Sequence, residues 1–172
     1  MGYSAEGAFW LVSNDEHLQK WAMHVARQIG ALPFRREADG TQLVLLITSR
    51  DTRRWIIPKG WPWPGEEDWI AATEEAREEA GIVGHVQHDA IGSFTYEKRH
   101  PQGPMLVRVT VYLIEVTGML EDWPESNERE RAWFTLADAA RVVMEPELKA
   151  LLNELVPSAS TALPPLDAPP CR

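Results

Sequence analysis

Glu75, Glu78 and Glu79 stand close together in the segment Gly60 to Ile82, GWPWPGEEDWIAATEEAREEAGI, with Arg77 as the one cation beside them. At about 100° per residue, Glu78 and Glu79 fall on either side of Glu75 in one narrow stripe of a predicted helix. Trp69, Ala72, Ala76 and Ala80 form the neighbouring stripe, the apolar face that packs on a core. The carboxylates therefore lie at the edge of the buried face. Like charges at helical spacing each cost roughly 0.2–0.5 kcal/mol, and a divalent cation relieves that repulsion. Three hard oxygen donors suit Mg²⁺ or Mn²⁺. Taken alone, the run suits a solvated acidic face equally well.

Basic residues precede this stripe. From Arg27 to Lys59 there are seven basic residues against three acidic, and from Glu66 to Glu79 seven acidic against one basic. A basic segment leading into an acidic helix suits a polyanion bound together with cations. Lys59, beside Gly60 at the lip of the loop, is placed to reach a phosphate as a point charge, with an ordinary surface lysine as the alternative. Arg50, Arg53 and Arg54 lie in one predicted turn and are candidates to clamp further phosphates. Lys98, Arg99 and His100 serve equally as phosphate contacts or as a solvated loop. Trp61 and Trp63, each followed by proline, form either a packed wall or a stacking surface, and Trp123 and Trp133 read as core.

Gly60, five residues, Glu66, and then Glu75-Ala76-Arg77-Glu78-Glu79-Ala80-Gly81-Ile82 resemble the signature of the Nudix hydrolases. One position departs from it: Glu74 stands where the family has an arginine that orients a carboxylate of the site. The resemblance implies a metal-dependent hydrolase of diphosphate bonds. It assigns Glu75, Glu78 and Glu79 to metal, Glu79 or Glu75 to the general base, and Mg²⁺ to the cofactor with Mn²⁺ as a substitute. Which of the two glutamates is the base stays open. Leu120 to Phe134, LEDWPESNERERAWF, followed by TLADAARVV, is similar to the diphosphoinositol polyphosphate phosphohydrolases of that family. Pro58-Lys59-Gly60 resembles its asymmetric diadenosine tetraphosphate hydrolases. Both point to a small, highly phosphorylated substrate bound by Lys59, Gly60, Arg50, Arg53 and Arg54. Other nucleoside-diphosphate hydrolysis, a catalytically silent nucleotide-binding module and a scaffolding role are the alternatives.

The elements that position these groups follow from period and punctuation. Gln28 to Arg36 and Leu43 to Thr48 read as strands joined by a turn at Ala38-Asp39-Gly40. Trp55 to Ile57 is a short strand stopped by Pro58. Glu66, Glu67 and Asp68 suit a helix's first turn, where the dipole favours acids, and Gly81 its C-terminal cap. Ala90 to Glu97, Leu106 to Thr117 and Arg131 to Thr135 read as further strands. Leu136 to Leu155 has helical period, broken by Pro146. The expected fold is an α/β class, Nudix-type α/β/α sandwich around a mixed β-sheet, over residues 26–156. An N-terminal extension, 1–25, with a short helix from Asn14, precedes it. A proline-rich tail, 157–172, has too little apolar surface to fold.

The 172 residues suffice for one domain with a full core. No apolar run approaches the ~18 residues of a membrane span. The N-terminus lacks a secretory pattern. Cys171 is the sole cysteine, so no disulfide forms within the chain, and a cytoplasmic location is expected. The net charge of −9 argues against a general nucleic-acid binder. Nothing in the sequence indicates an oligomeric state.

Overall fold

The computed structural model describes residues 25–99, 101 and 103–156. The expected helix from Asn14, His100, the proline-rich tail and Cys171 lie outside the described residues. Eight strands form one mixed sheet: β1 (Ala26–Arg36), β2 (Gln42–Thr48), β3 (Trp55–Ile56), β4 (Lys59–Gly60), β5 (Ile82–Val86), β6 (Gly92–Lys98), β7 (Met105–Met119) and β8 (Arg131–Thr135). The helices are α1 (Asp68–Ala80), α2 (Leu136–Val142) and α3 (Pro146–Leu155). The central pair, β1 and β7, runs parallel from Ala26↔Val107 to Phe34↔Glu115. β5 and β6 pair antiparallel with successive lengths of β7, while β3 and β8 pair antiparallel with β2.

Period-two alternation makes the sheet two-faced. Ile29, Ala31, Leu45, Ile47, Tyr112 and Ile114 point to one core, closed by Ala71, Ala72, Ala76 and Ala80 of α1. Their neighbours Leu32, Phe34, Val44, Leu46, Val109, Val111 and Leu113 point to the other, closed by Leu136, Ala139, Leu148 and Leu152 of α2 and α3. The expected α/β/α sandwich is therefore the observed one. Small alanines on α1 let the helix lie close to the sheet, which brings its glutamates down toward the strand ends.

The expected strands and helices are present, with ends moved by one to two residues in most cases. Gly81 caps α1 in the left-handed conformation, φ 64°, its N–H donating to the Arg77 carbonyl at 3.0 Å. The break between α2 and α3 lies before Pro146, at Val143 in extended conformation. Pro146 is the first residue of α3, where a missing N–H costs nothing. Two strands, β4 and β5, have no counterpart in the sequence reading. β4 matters most for function, since its pairing of Lys59 with Gly30 and Gly60 with Ile29 seats the loop against the middle of β1.

Candidate active site

Residues from four parts of the chain meet where β4 passes beneath α1. Glu79, 7% exposed, accepts the Lys59 backbone N–H at 2.9 Å through Oε2. Its Oε1 pairs with Arg129 Nη2. Arg129, itself buried, also donates through Nη1 to the Thr48 carbonyl at 3.1 Å and through Nε to Glu125. Burial pushes the Glu79 carboxyl above its usual range, while the Arg129 guanidinium and the Lys59 N–H pull it down.

Glu75 is in a different state. It makes no ion pair among the described residues. Burial, and then the negative charges of Glu79, Glu78 and Glu125, raise its pKa to about 7. Its carboxylate lies against the backbone of Gly60: a Cβ added there would stand 1.8 Å from Glu75 Oε1. Only glycine leaves room for that approach. Since the clashing atom ends a flexible side chain, Gly60→Ala is accommodated by displacing Glu75 and leaving the fold in place. The expected result is a melting temperature within a few degrees of wild type and a loss of turnover approaching 100-fold, the size that misplacing a reacting group by about 1 Å produces. Thermal melts beside initial rates check this, and an active Gly60→Ala enzyme would remove Glu75 from the site.

Glu78 is exposed and turns toward Arg77, Oε1 to Nη2 3.7 Å. Among the described residues no set of three or more His, Cys, Asp or Glu side chains is grouped closely enough to hold a metal ion. In this arrangement Glu79 is paired with Arg129 and the Lys59 N–H, and Glu78 faces outward toward Arg77. The donor set nonetheless fits a hard divalent cation. Glu75 and Glu79 present carboxylate oxygens whose charges repel, and the Lys59 charge offsets this only in part at Glu75.

The basic residues expected to bind phosphate part company. Lys59 is beside the glutamates, its Nζ 5.0 Å above the Tyr96 ring. Burial lowers its pKa, and Glu79 acts in the opposite direction. Arg50 is half-exposed, 3.4 Å from both Glu125 and Glu128, with the Glu79 charge also acting on it. Arg53 adopts φ 56° and donates to the Glu128 carbonyl at 2.8 Å while pairing with Glu130. Arg54 lies 3.4 Å from the buried Glu145. Arg50 and Arg53 thus share Glu128 and the acidic segment around it, while Arg54 turns to Glu145.

Lys98 sits over Trp61, 5.0 Å from Nζ to ring centroid, and Arg99 is exposed. Trp61 and Trp63 are both largely exposed. Trp63 lines an open cleft of about 440 Å³ on the opposite flank of α1, with Trp69, Glu74, His85 and His88. Trp123 and Trp133 are partly buried, beneath Arg131 and Arg35 respectively; Trp133 packs against the core closed by α1, as expected, while Trp123 stands outside both cores.

Sequence reasoning missed Arg129, Glu125, Tyr96 and Glu145. Tyr96 donates to Gln28 at 2.7 Å, and its pKa is pushed up to about 12 by burial and by Glu145 and Glu79. Arg129 lies in the run Glu128-Arg129-Glu130-Arg131, which reads as solvated alternation, and no local signal marks one member as buried.

The family model for the NUDIX domain matches residues 25–156. Diphosphoinositol polyphosphate phosphohydrolase 3-beta of Bos taurus is 36% identical over 121 residues, covering 68% of each chain. Diphosphoinositol polyphosphate phosphohydrolase 3-alpha of Homo sapiens is 36% identical over 119 residues, again covering 68% of each. A crystal structure of a C. elegans Ap4A hydrolase binary complex superposes with a TM-score of 0.57 at 26% identity, over 76% of this chain and 94% of that one.

Proposed function

The chain belongs to the Nudix family of hydrolases acting on diphosphate bonds, and from that premise we propose that its substrate is a diadenosine polyphosphate or a diphosphoinositol polyphosphate. Mg²⁺ is the proposed ion, with Mn²⁺ able to replace it. The observation that supports hydrolysis is the placement of Glu75, a carboxylate against Gly60 with no ion pair among the described residues and, in the metal-free protein, a pKa raised to about 7. Groups poised near the working pH make effective general bases. The two relatives' names supply the substrate class.

In this reading Glu75, Glu78 and Glu79 hold the cation, which when bound neutralises charge on the phosphate oxygens. Of the two candidates for the base, Glu75 is favoured. It takes the proton of the attacking water at a carboxylate oxygen, while Glu79 is held by Arg129 and the Lys59 N–H. Lys59 meets a phosphate beside the reacting bond, and half-exposed Arg50 meets the next one along. Gly60 keeps the loop clear for Glu75. Arg53 and Arg54 serve the chain's remote end only if the substrate displaces their carboxylate partners.

The hydrolase domain of this proposal is residues 26–156, with 1–25 and 157–172 outside it. The cytoplasm is the proposed compartment, on the single cysteine of the chain. Among the described residues no helix is long and apolar enough to cross a membrane.

A panel of phosphate-release assays tests the substrate. kcat/KM for diadenosine polyphosphates or inositol pyrophosphates is expected to exceed that for ADP-ribose or a nucleoside triphosphate. Arg50→Ala should narrow the gap by roughly tenfold, since a hydrogen bond to a charged group contributes about 1.5–3 kcal/mol and part of it is already shared with Glu125 and Glu128. Salt should weaken the long substrates most. A best substrate of ADP-ribose together with an unaffected Arg50→Ala enzyme would overturn the polyphosphate reading.

A further inference from the structure

The guanidinium that fixes Glu79 comes from outside its helix. Glu74 occupies the position at which the resembled signature has arginine, and its carboxylate accepts from Arg77 Nε at 2.9 Å. Five residues apart on α1, Glu74 and Glu79 point about 140° away from each other. Glu74 lines the cleft on the opposite flank of the helix, so position 74 gives Glu79 nothing.

Arg129 stands on Glu79 instead, delivered by the segment between β7 and β8. Its side chain is 5% exposed, and its three nitrogens serve three acceptors on three elements: Glu79 of α1, the Thr48 carbonyl of β2, and Glu125 of its own segment. That segment is tied down at several points. The Leu120 N–H donates to the Gly81 carbonyl at 2.8 Å, the Glu125 N–H to the Glu78 carbonyl at 3.2 Å, and the Glu130 N–H to Thr48 Oγ1 at 2.9 Å. The fork is thereby aimed before any ligand arrives.

We propose that Arg129 is the positioning residue for Glu79 in this chain, in place of an arginine at position 74: it holds Oε1 while the Lys59 N–H holds Oε2, so the carboxylate keeps one orientation toward the site. The proposal rests on assigning Glu79 to the reacting site. A planar, multi-donor guanidinium is required, because one ammonium cannot serve Glu79, Glu125 and Thr48 together.

Arg129→Ala and Arg129→Lys in the full chain test it, by Mn²⁺ titration without substrate and by steady-state kinetics. Partners that orient metal-binding side chains are worth about 10- to 100-fold in metal affinity or activity. Arg129→Ala is expected to weaken Mn²⁺ by that factor and to lower kcat similarly, with KM for the polyphosphate substrate within about threefold of wild type. Arg129→Lys keeps the charge and is expected to lose about tenfold in Mn²⁺ affinity; it carries the test if the alanine variant does not fold. Unchanged Mn²⁺ affinity in the folded variants overturns the proposal. So does a rise in KM with kcat and Mn²⁺ affinity intact, which would make Arg129 a phosphate contact. If wild-type protein cleaves no member of the substrate panel, the functional reading falls, while the Mn²⁺ titration still decides the role of Arg129.

Discussion

Glu79→Gln lowers turnover by at least about 100-fold, the range that acid–base and ion-organising groups supply, and an excess of chelator abolishes activity in the wild type. The substitution removes one charge at nearly constant volume. Glutamine still presents an oxygen to the Lys59 N–H, so the seat of the loop on α1 is kept. What it loses is the negative charge facing Arg129 and the cation. Arg129 retains Glu125 and the Thr48 carbonyl, and the fold survives on those contacts. The loss therefore falls on kcat, with the melting temperature moving by only a few degrees. Initial rates over a titration of Mg²⁺ measure it, since a weakened site recovers part of its rate at high ion concentration and a lost base does not. Full activity in excess chelator, or an unaffected Glu79→Gln enzyme, would falsify the assignment of this helix to the reaction.

The glutamates were legible in the sequence because a single helix carries them. Angular spacing on one element is fixed by the chain itself, so Glu75, Glu78 and Glu79 could be placed at the edge of a buried stripe from residue numbers alone. The same holds for the strands with clear period-two alternation and for the turn at Ala38-Asp39-Gly40. β4 was not legible, because it is two residues long and defined solely by its pairing with Gly30 and Ile29. β5 offers only Ile-Val-Gly-His-Val, an edge strand with a register shift at Val83/Gly84 and little to distinguish it from a loop.

Arg129 and Glu125 reach Glu79 across about 50 positions of chain, and what brings them there is hydrogen bonding of the β7–β8 segment to the end of α1. That closure is a property of the assembled sheet. The arginines at 50, 53 and 54 show the opposite limit. Closeness in sequence suggested a shared target; Arg50 and Arg53 both meet Glu128, while Arg54 turns to Glu145. Spacing predicts a common direction on a helix or strand and does not do so in a turn.

Glu75→Gln stabilises the metal-free protein at pH 8 and does not at pH 4. The sign follows from the two proton affinities of the carboxyl. In the unfolded chain Glu75 titrates near the ordinary value of 4.5, and in the folded protein burial and the neighbouring glutamates raise it to about 7. Between those values the folded state holds the proton more tightly, so stability falls as pH rises through the window, and above pH 7 the whole cost of an ionised Glu75 is present. A tenfold change in proton affinity is about 1.4 kcal/mol, which sets an upper bound of roughly 3.5 kcal/mol. Glu75 keeps some contact with water, so about 2 kcal/mol is expected, or roughly 5–10 °C in melting temperature for a domain of this size. Below pH 4.5 wild type carries a neutral acid much like the amide, and the advantage vanishes. Mg²⁺ at pH 8 should close the gap from the other side, stabilising wild type more than the variant because binding to the folded state alone raises stability. Melts at pH 4 and pH 8, with chelator and with Mg²⁺, give all four corners. Equal stability of the two proteins at pH 8 in chelator would show that Glu75 is not held in a costly ionised state, and its candidacy as the base would fall with that.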